Sequence, residues 1–240
     1  MKTVGIIGFG SFGKFLAEKL SSHAKVLVYS YSGAGSSWQE SIEQVAGCDY
    51  VIPAIPLDAY PRVLKQIKPL LGKNSVVVDV CSVKNKPIMY LHQHLPGTKF
   101  VAAHPMFGPE SAGVSFDGHT LVMCPEGGMH EGYQAVKQFA QSLGLSVIEM
   151  SADEHDEEIA VVQGLTFFIA RALNSVGVEG QKLHTPSFAR LLHLAELEKH
   201  HSSELFTTIQ NGNPKTSEVR QAFLRAAEEI DNRLANENTR

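Results

Sequence analysis

Short apolar runs alternate with amphipathic stretches through the first 150 residues of this 240-residue chain. "TVGIIGF" (3–9) is apolar and β-branched and reads as a buried strand. "SFGKFLAEKLSS" (11–22) switches to the helical period, with Phe12, Phe15, Leu16 and Leu20 on one side. The alternation continues with a strand at 25–30, a helix at 37–46, a strand at 49–56 and a helix at 59–71. Strands follow at 75–82, 99–105 and 119–125, then a helix at 131–144 and a strand at 146–151. Strands alternating with helices predict crossover units and a mostly parallel sheet.

The pattern changes after Ser151. "SADE" is a capping box, with Ser151 as N-cap and Glu154 three residues on. Ile159, Val162, Leu165, Ile169, Leu173 and Val176 then recur at three- and four-residue steps, one face of a long helix. Further helices are predicted at about 187–200, 203–211 and 216–235, and no strand pattern appears beyond 151. The chain therefore divides into an α/β dinucleotide-binding domain, 1–151, and a helical substrate and dimerisation domain, 152–240. The helical stripes exceed what so short a segment covers by itself, which predicts a homodimer paired through this region. The alternative is that the stripes pack on each other and on the sheet.

Composition narrows the class. The apolar share is 43%, which fits a globular protein with a sizeable core. No run of 18 apolar residues is apparent, so no membrane partner is expected. The start, "MKTVGIIGFG", lacks the long apolar core and small-residue cleavage site of a signal peptide. Cys48, Cys81 and Cys124 are far apart and form no CxxC, which points to a reducing, cytoplasmic setting. A net charge of −4 argues against nucleic acid, and an anionic small molecule would need a local positive potential.

"GFGSFG" places Gly8, Gly10 and Gly13 in the G-x-G-x-x-G pattern, with Phe9, Ser11 and Phe12 between them. Alone the pattern is weak, but here it joins a buried strand to an amphipathic helix. Gly8 makes the tight turn, Gly10 lets a pyrophosphate reach the backbone, and Gly13 lets the helix close on the strand. The helix N-terminus adds free N–H groups and a partial positive charge. The fold expected is a Rossmann-type, mostly parallel sheet followed by an all-helical C-terminal domain. The second strand ends at Ser30, Tyr31 and Ser32 with no acid to grip a ribose 2′-hydroxyl. That absence permits a 2′-phosphate and favours NADP over NAD, although no arginine is nearby in the sequence to clamp it. Ile55 and Pro56 end the third strand, where they would border the nicotinamide; an ordinary strand end is the alternative reading.

Two loops leave strand ends on the same sheet edge, "DVCSVKNK" (79–86) and "AAHPMFGPES" (102–111). His104 is suited to take a hydroxyl proton, since free imidazole titrates near ~6.5. Its alternative is a structural histidine on a backbone carbonyl. Ser82 can hold the same hydroxyl or steer the imidazole. Lys84 can offer positive charge to an acidic substrate, though a solvated surface lysine is the simpler expectation.

"GFGSFG", "DVCSVK", "HPMFGPES", "HDEEIAVVQGLTFFIARAL" and "ELFTTIQNGNP" occur in that order over nearly the whole chain. Together they resemble the prephenate/arogenate dehydrogenase family of tyrosine biosynthesis, and "HPMFGPES" is similar to its arogenate-type members. The resemblance implies a Rossmann domain with a helical dimerisation domain, and oxidative decarboxylation of prephenate or arogenate. Hydride would leave C4 of the substrate for the nicotinamide. His104 would accept a hydrogen bond from the 4-hydroxyl, and Ser82 would bond the same oxygen and help orient the histidine. Carbon dioxide then leaves and the ring becomes aromatic.

The chain also departs from the family pattern. Phe167 stands where many members carry a histidine. Arg190 comes one place later than an arginine that pairs with a substrate carboxylate, and one place is about 100° around a helix. His155 matches a family "HD" pair, but first-turn polarity beside Asp153, Asp156 and Glu157, which complement the helix dipole, is the favoured expectation. No metal is expected, because His200 and His201 are adjacent and no HExxH occurs. Two other readings are a β-hydroxyacid dehydrogenase-like reductase and a regulator that senses NADP without turnover.

Overall fold

In the computed structural model, residues 2–31, 33, 37–113 and 115–237 are described. Strands β1 (Thr3–Ile7), β2 (Lys25–Tyr29), β3 (Tyr50–Pro53), β4 (Val76–Asp79), β5 (Lys99–Pro105), β6 (Thr120–Cys124) and β7 (Ser146–Glu149) form one sheet. Their spatial order is β2-β1-β3-β4-β5-β6-β7. The first five run parallel, β6 is antiparallel to β5, and β7 is parallel to β6. This is the mostly parallel α/β sheet expected, with the last two strands, β6 and β7, reversed at one edge.

Period-two alternation explains why both faces of the sheet are covered. Val76 and Val78 join one core with Ile6, Phe15, Leu16 and Tyr133. Val77, between them, joins the opposite core with Ile7, Val51, Leu64 and Leu91. Helices α1 (Ser11–Leu20), α2 (Ile42–Ala46), α3 (Tyr60–Ile67), α4 (Asn85–His94) and α5 (Glu131–Ser142) supply those partners.

Two helices differ from expectation. The helix expected at 37–46 begins only at Ile42, because Ser41 caps it. Gln44 N donates to Ser41 Oγ (3.4 Å), and Ser41 N donates to Gln44 Oε1 (3.2 Å). Before it, Ser37 and Trp38 form a turn and Gln39 is bridged to Val28 of β2. Helix α4 was not expected at all. Its Pro87 lies in the first turn, where a missing N–H costs nothing, and Ile88 and Leu91 are its buried face.

The chain divides into two compact units, Met1–His155 and Asp156–Arg240. Helix α6 (Ala152–Ile159) passes through a π turn, Ala160–Leu165, into α7 (Thr166–Val176). α8 (Pro186–Lys199), α9 (Ser203–Gly212) and α10 (Pro214–Glu237) follow. The expected capping box is present: Glu154 N donates to Ser151 Oγ (3.2 Å) and Ser151 N to Glu154 Oε2 (2.8 Å). Within the helical unit, Gln210 Nε2 donates to Gly164 O of the π turn (2.7 Å), and Arg220 Nη1 donates to Gln210 Oε1 (2.6 Å).

No 18 residues in succession are apolar, but a looser test of mean hydropathy admits one helix. The continuous helix Ala152–Val176, 25 residues long, meets that test by length and composition. The reason is that the charges of α6 crowd into its first turns and leave the rest of the run apolar. Arg171, within it, is taken up by Glu198 of α8 (Nη2–Oε1, 2.7 Å).

Candidate active site

The glycine turn leaves β1 at the point where strand order reverses, between β1 and β3. Gly8 has φ +108°, a conformation that disfavours any side chain. Its N–H donates to Tyr29 O (2.8 Å), and Ala54 N donates to Ile7 O (2.8 Å). A Cβ on Gly8 would lie 2.2 Å from Ala54 O, and one on Gly13 would lie 2.2 Å from Gly8 O. A Cβ on Gly10 would meet no atom within 4 Å. Packing therefore requires the outer two glycines, while the middle one faces open space. That is the cradle a pyrophosphate needs. Helix α1 begins beside it with no side-chain cap and no acid in its first turn, so nothing opposes an anion there.

The flanking residues divide by role. Phe9 packs edge-on against Trp38 (ring centroids 6.3 Å apart) and Phe12 against Phe15 (6.0 Å), so both stiffen the turn from inside. Ser11 is exposed at the start of α1, and Ile55 and Pro56 follow β3 at the sheet edge. Ser30 ends β2's run, and Ser32 lies outside the described residues. Tyr31 is 68% exposed. The expectation that no arginine is near is corrected: Arg62 of α3 lies with its guanidinium 4.8 Å from the centre of the Tyr31 ring. Sequence distance hid it, because α3 follows a different strand.

On the neighbouring strands, Asp79 of β4 is in register with Ala102 of β5. Ser82 and His104 therefore lie just beyond the same point, at the carboxyl edge. Asp79 is wholly buried and heavily bonded. Its Oδ1 accepts from Tyr60 OH (2.5 Å) and Cys81 N (3.0 Å), and its Oδ2 accepts from Lys84 Nζ. Lys84 Nζ also donates to Ala103 O (2.6 Å). The simpler expectation for Lys84, a solvated surface lysine, is thus overturned. Its side chain is fully buried in an ion pair, because an aspartate inside the apolar strand "VVVDV" demands a cation. Burial first, then the Asp79 charge, raises the Tyr60 hydroxyl well above its ordinary pKa.

His104 is 2% exposed and His155 is 1% exposed. His104 Nδ1 and His155 Nε2 are 2.9 Å apart, and the rings meet at 69°. The start of α6 is fixed in place: Ala152 N donates to Glu126 Oε1 (2.5 Å), and Asn85 Nδ2 donates to Ala152 O (3.4 Å). Burial chiefly, then His155, then the Lys84 ammonium, hold the pKa of His104 well below the usual imidazole value. It is a neutral base at neutral pH. The reading of His155 as first-turn polarity is corrected. Ala152, His155, Asp156 and Ile159 are all buried, at the spacing of a single helix face, so the histidine belongs to the inward stripe. That spacing was the available signal. For Asp79 the signal was a charge within a buried strand; Tyr60 and Arg62 gave none.

Ser82 is half-buried in the turn after β4, and among the described residues no hydrogen bond joins it to His104. Arg190 is exposed on α8. In the helical unit, Phe167 stacks on His201 (centroids 4.4 Å apart, 24° between planes). His201 Nδ1 lies 3.1 Å from Glu198 Oε2, and Glu198 also accepts from Arg171 Nε (3.0 Å). Among the described residues no three His, Cys, Asp or Glu side chains gather as a metal site.

A Rossmann-type sheet with an open glycine cradle and a buried imidazole on the same edge defines a dinucleotide-binding protein with a candidate acid–base site. A family model described as the nucleotide-binding domain of prephenate dehydrogenase matches residues 22–149, just over half of the chain. The chain belongs to the prephenate dehydrogenase family. A Methanocaldococcus jannaschii relative, "Probable arogenate/prephenate dehydrogenase", is 26% identical over 82% of this chain. "Arogenate dehydrogenase 2, chloroplastic" of Arabidopsis thaliana is 27% identical over 96% of it. The matches span 46% and 69% of those relatives' own lengths. Among solved structures, prephenate dehydrogenase from Aquifex aeolicus superposes with a TM-score of 0.76 at 22% identity, covering 99% of this chain and 93% of that one, which establishes a shared fold.

Proposed function

We propose that this chain catalyses oxidative decarboxylation of prephenate or arogenate, giving 4-hydroxyphenylpyruvate or tyrosine. The carrying observation is His104, a buried imidazole kept neutral on the same sheet edge as the glycine cradle. Gly8, Gly10, Gly13 and the N-terminus of α1 would hold the pyrophosphate of a nicotinamide dinucleotide, with Ile55 and Pro56 beside the ring. When bound there, the nicotinamide supplies the hydride acceptor. His104 accepts the proton of the substrate's 4-hydroxyl, and Ser82 holds the same oxygen. General-base help of this kind is worth ~10²–10⁴-fold. Lys84 does not meet substrate in this reading; from inside, it fixes the carbonyl that precedes His104. The names of the relatives support the substrate class.

NADP is the favoured cofactor. The end of β2 carries no acid, and Arg62 stands over Tyr31 where a 2′-phosphate would lie. Pairing of two chains through the helical unit is supported by apolar side chains left exposed on α10, among them Ile230 (50%) and Leu234 (54%). Initial rates with both substrates crossed with both cofactors test the reading, with Arg62→Ala as a further arm. Turnover with at least one pair is expected, and Arg62→Ala should raise KM for NADP by about 10-fold while sparing NAD. No turnover with either substrate would overturn the function. A clear NAD preference would overturn the cofactor assignment.

A further inference from the structure

We infer that His155 is a positioning residue whose Nε2 accepts the Nδ1–H of His104 and so keeps the His104 Nε2 lone pair free for the substrate. A contact of 2.9 Å between two ring nitrogens holds one proton, which belongs to one ring or the other. If His155 owned it, His104 would carry its own proton on Nε2 and could only donate to a substrate hydroxyl. If His104 owns it, Nε2 is the acceptor that proton removal requires. The choice between these arrangements rests on the function proposed above; the contact itself does not.

The surroundings disfavour a charge on His104. Both rings are buried, and the Lys84 ammonium on the adjacent Ala103 carbonyl disfavours a second positive charge. Asp79, the carboxylate that pairs with Lys84, is already committed to Lys84, Tyr60 and Cys81 N. No carboxylate is thus available from that network to hold His104 Nδ1–H, and His155 takes the place that an acid often fills beside a catalytic imidazole. The seat of His155 is rigid. Its own N–H donates to Ser151 O (3.0 Å) inside a capped first turn, so the ring is presented from a fixed backbone.

The test has two readouts. Long-range imidazole ¹H–¹⁵N correlations on the labelled full chain, assigned with His104→Asn, report the tautomer without any turnover. His104 is expected as the Nδ1–H form in the wild type and in His155→Gln, whose amide oxygen can accept the same proton. In His155→Leu that preference should be lost. Kinetically, His155→Leu should lower kcat by about 10²-fold with KM for the substrate within about threefold, and His155→Gln should recover most of it. An Nε2–H tautomer in the wild type would overturn the inference. So would full kcat in His155→Leu, or a folded His155→Gln as impaired as the leucine variant. Should His155→Leu not fold, the tautomer signals of the wild type and His155→Gln decide. If the wild type turns over neither substrate, the proposed reaction fails, while the tautomer measurement still judges the role of His155.

Discussion

The sheet unit and the helical unit distribute charge differently, although each buries some of it, Glu198 beside Arg171 in the second. In the first, Asp79, Lys84, His104 and His155 are all drawn inside and bonded to one another or to backbone. In the second, Lys199, Glu179 and Glu196 pair on the surface, while apolar Phe223, Ile230 and Leu234 are also left exposed along α10. Burying charge is costly unless every partner is in place, so an interior network of this kind marks a unit whose inside is organised for chemistry. An exposed apolar row marks a unit whose outside is not finished.

The largest stability effect should come from breaking the buried pair on one side only. Lys84→Met leaves the Asp79 carboxylate buried with no cation and should cost about 3–5 kcal/mol in urea unfolding. Lys199→Met removes an exposed cation and should leave the midpoint unmoved. Equal responses would erase the contrast between the units.

Next in size is the open face. If the proposed pairing holds, the parent should sediment as a dimer, and the double variant Ile230→Asp, Leu234→Asp should keep its helical circular dichroism but sediment as a monomer. An unchanged mass would show that this row is not the pairing surface.

The smallest effect is the pH response of the sheet unit. Unfolded His104 titrates near ~6.5, whereas burial and its neighbours lower its folded value well below that. Below ~6.5 the unfolded chain binds more protons, so stability should fall as pH drops, by roughly 1 kcal/mol per pH unit. His104→Asn should flatten that slope. An equal slope in both proteins would place the titration elsewhere.

Much of the sheet unit was legible because its signals are local. Strand alternation, the three glycines and the Ser151–Glu154 box each act within a few residues, and each is seen in the structure. What escaped depends on distant chain segments meeting. Arg62 reaches Tyr31 from another crossover unit, and Lys84 looked like a surface lysine until Asp79 closed on it. His155 sat among acids that suggested solvent, while its spacing from Ala152 and Ile159 pointed inward. Helix α4 was missed because its two histidines and a glutamine dilute a short apolar face.

The most direct test is the rate of nicotinamide reduction by the wild type and by His104→Asn, with prephenate and with arogenate. A loss of ~10²–10⁴-fold in kcat, with cofactor affinity retained, is predicted. Full activity in His104→Asn would contradict the account.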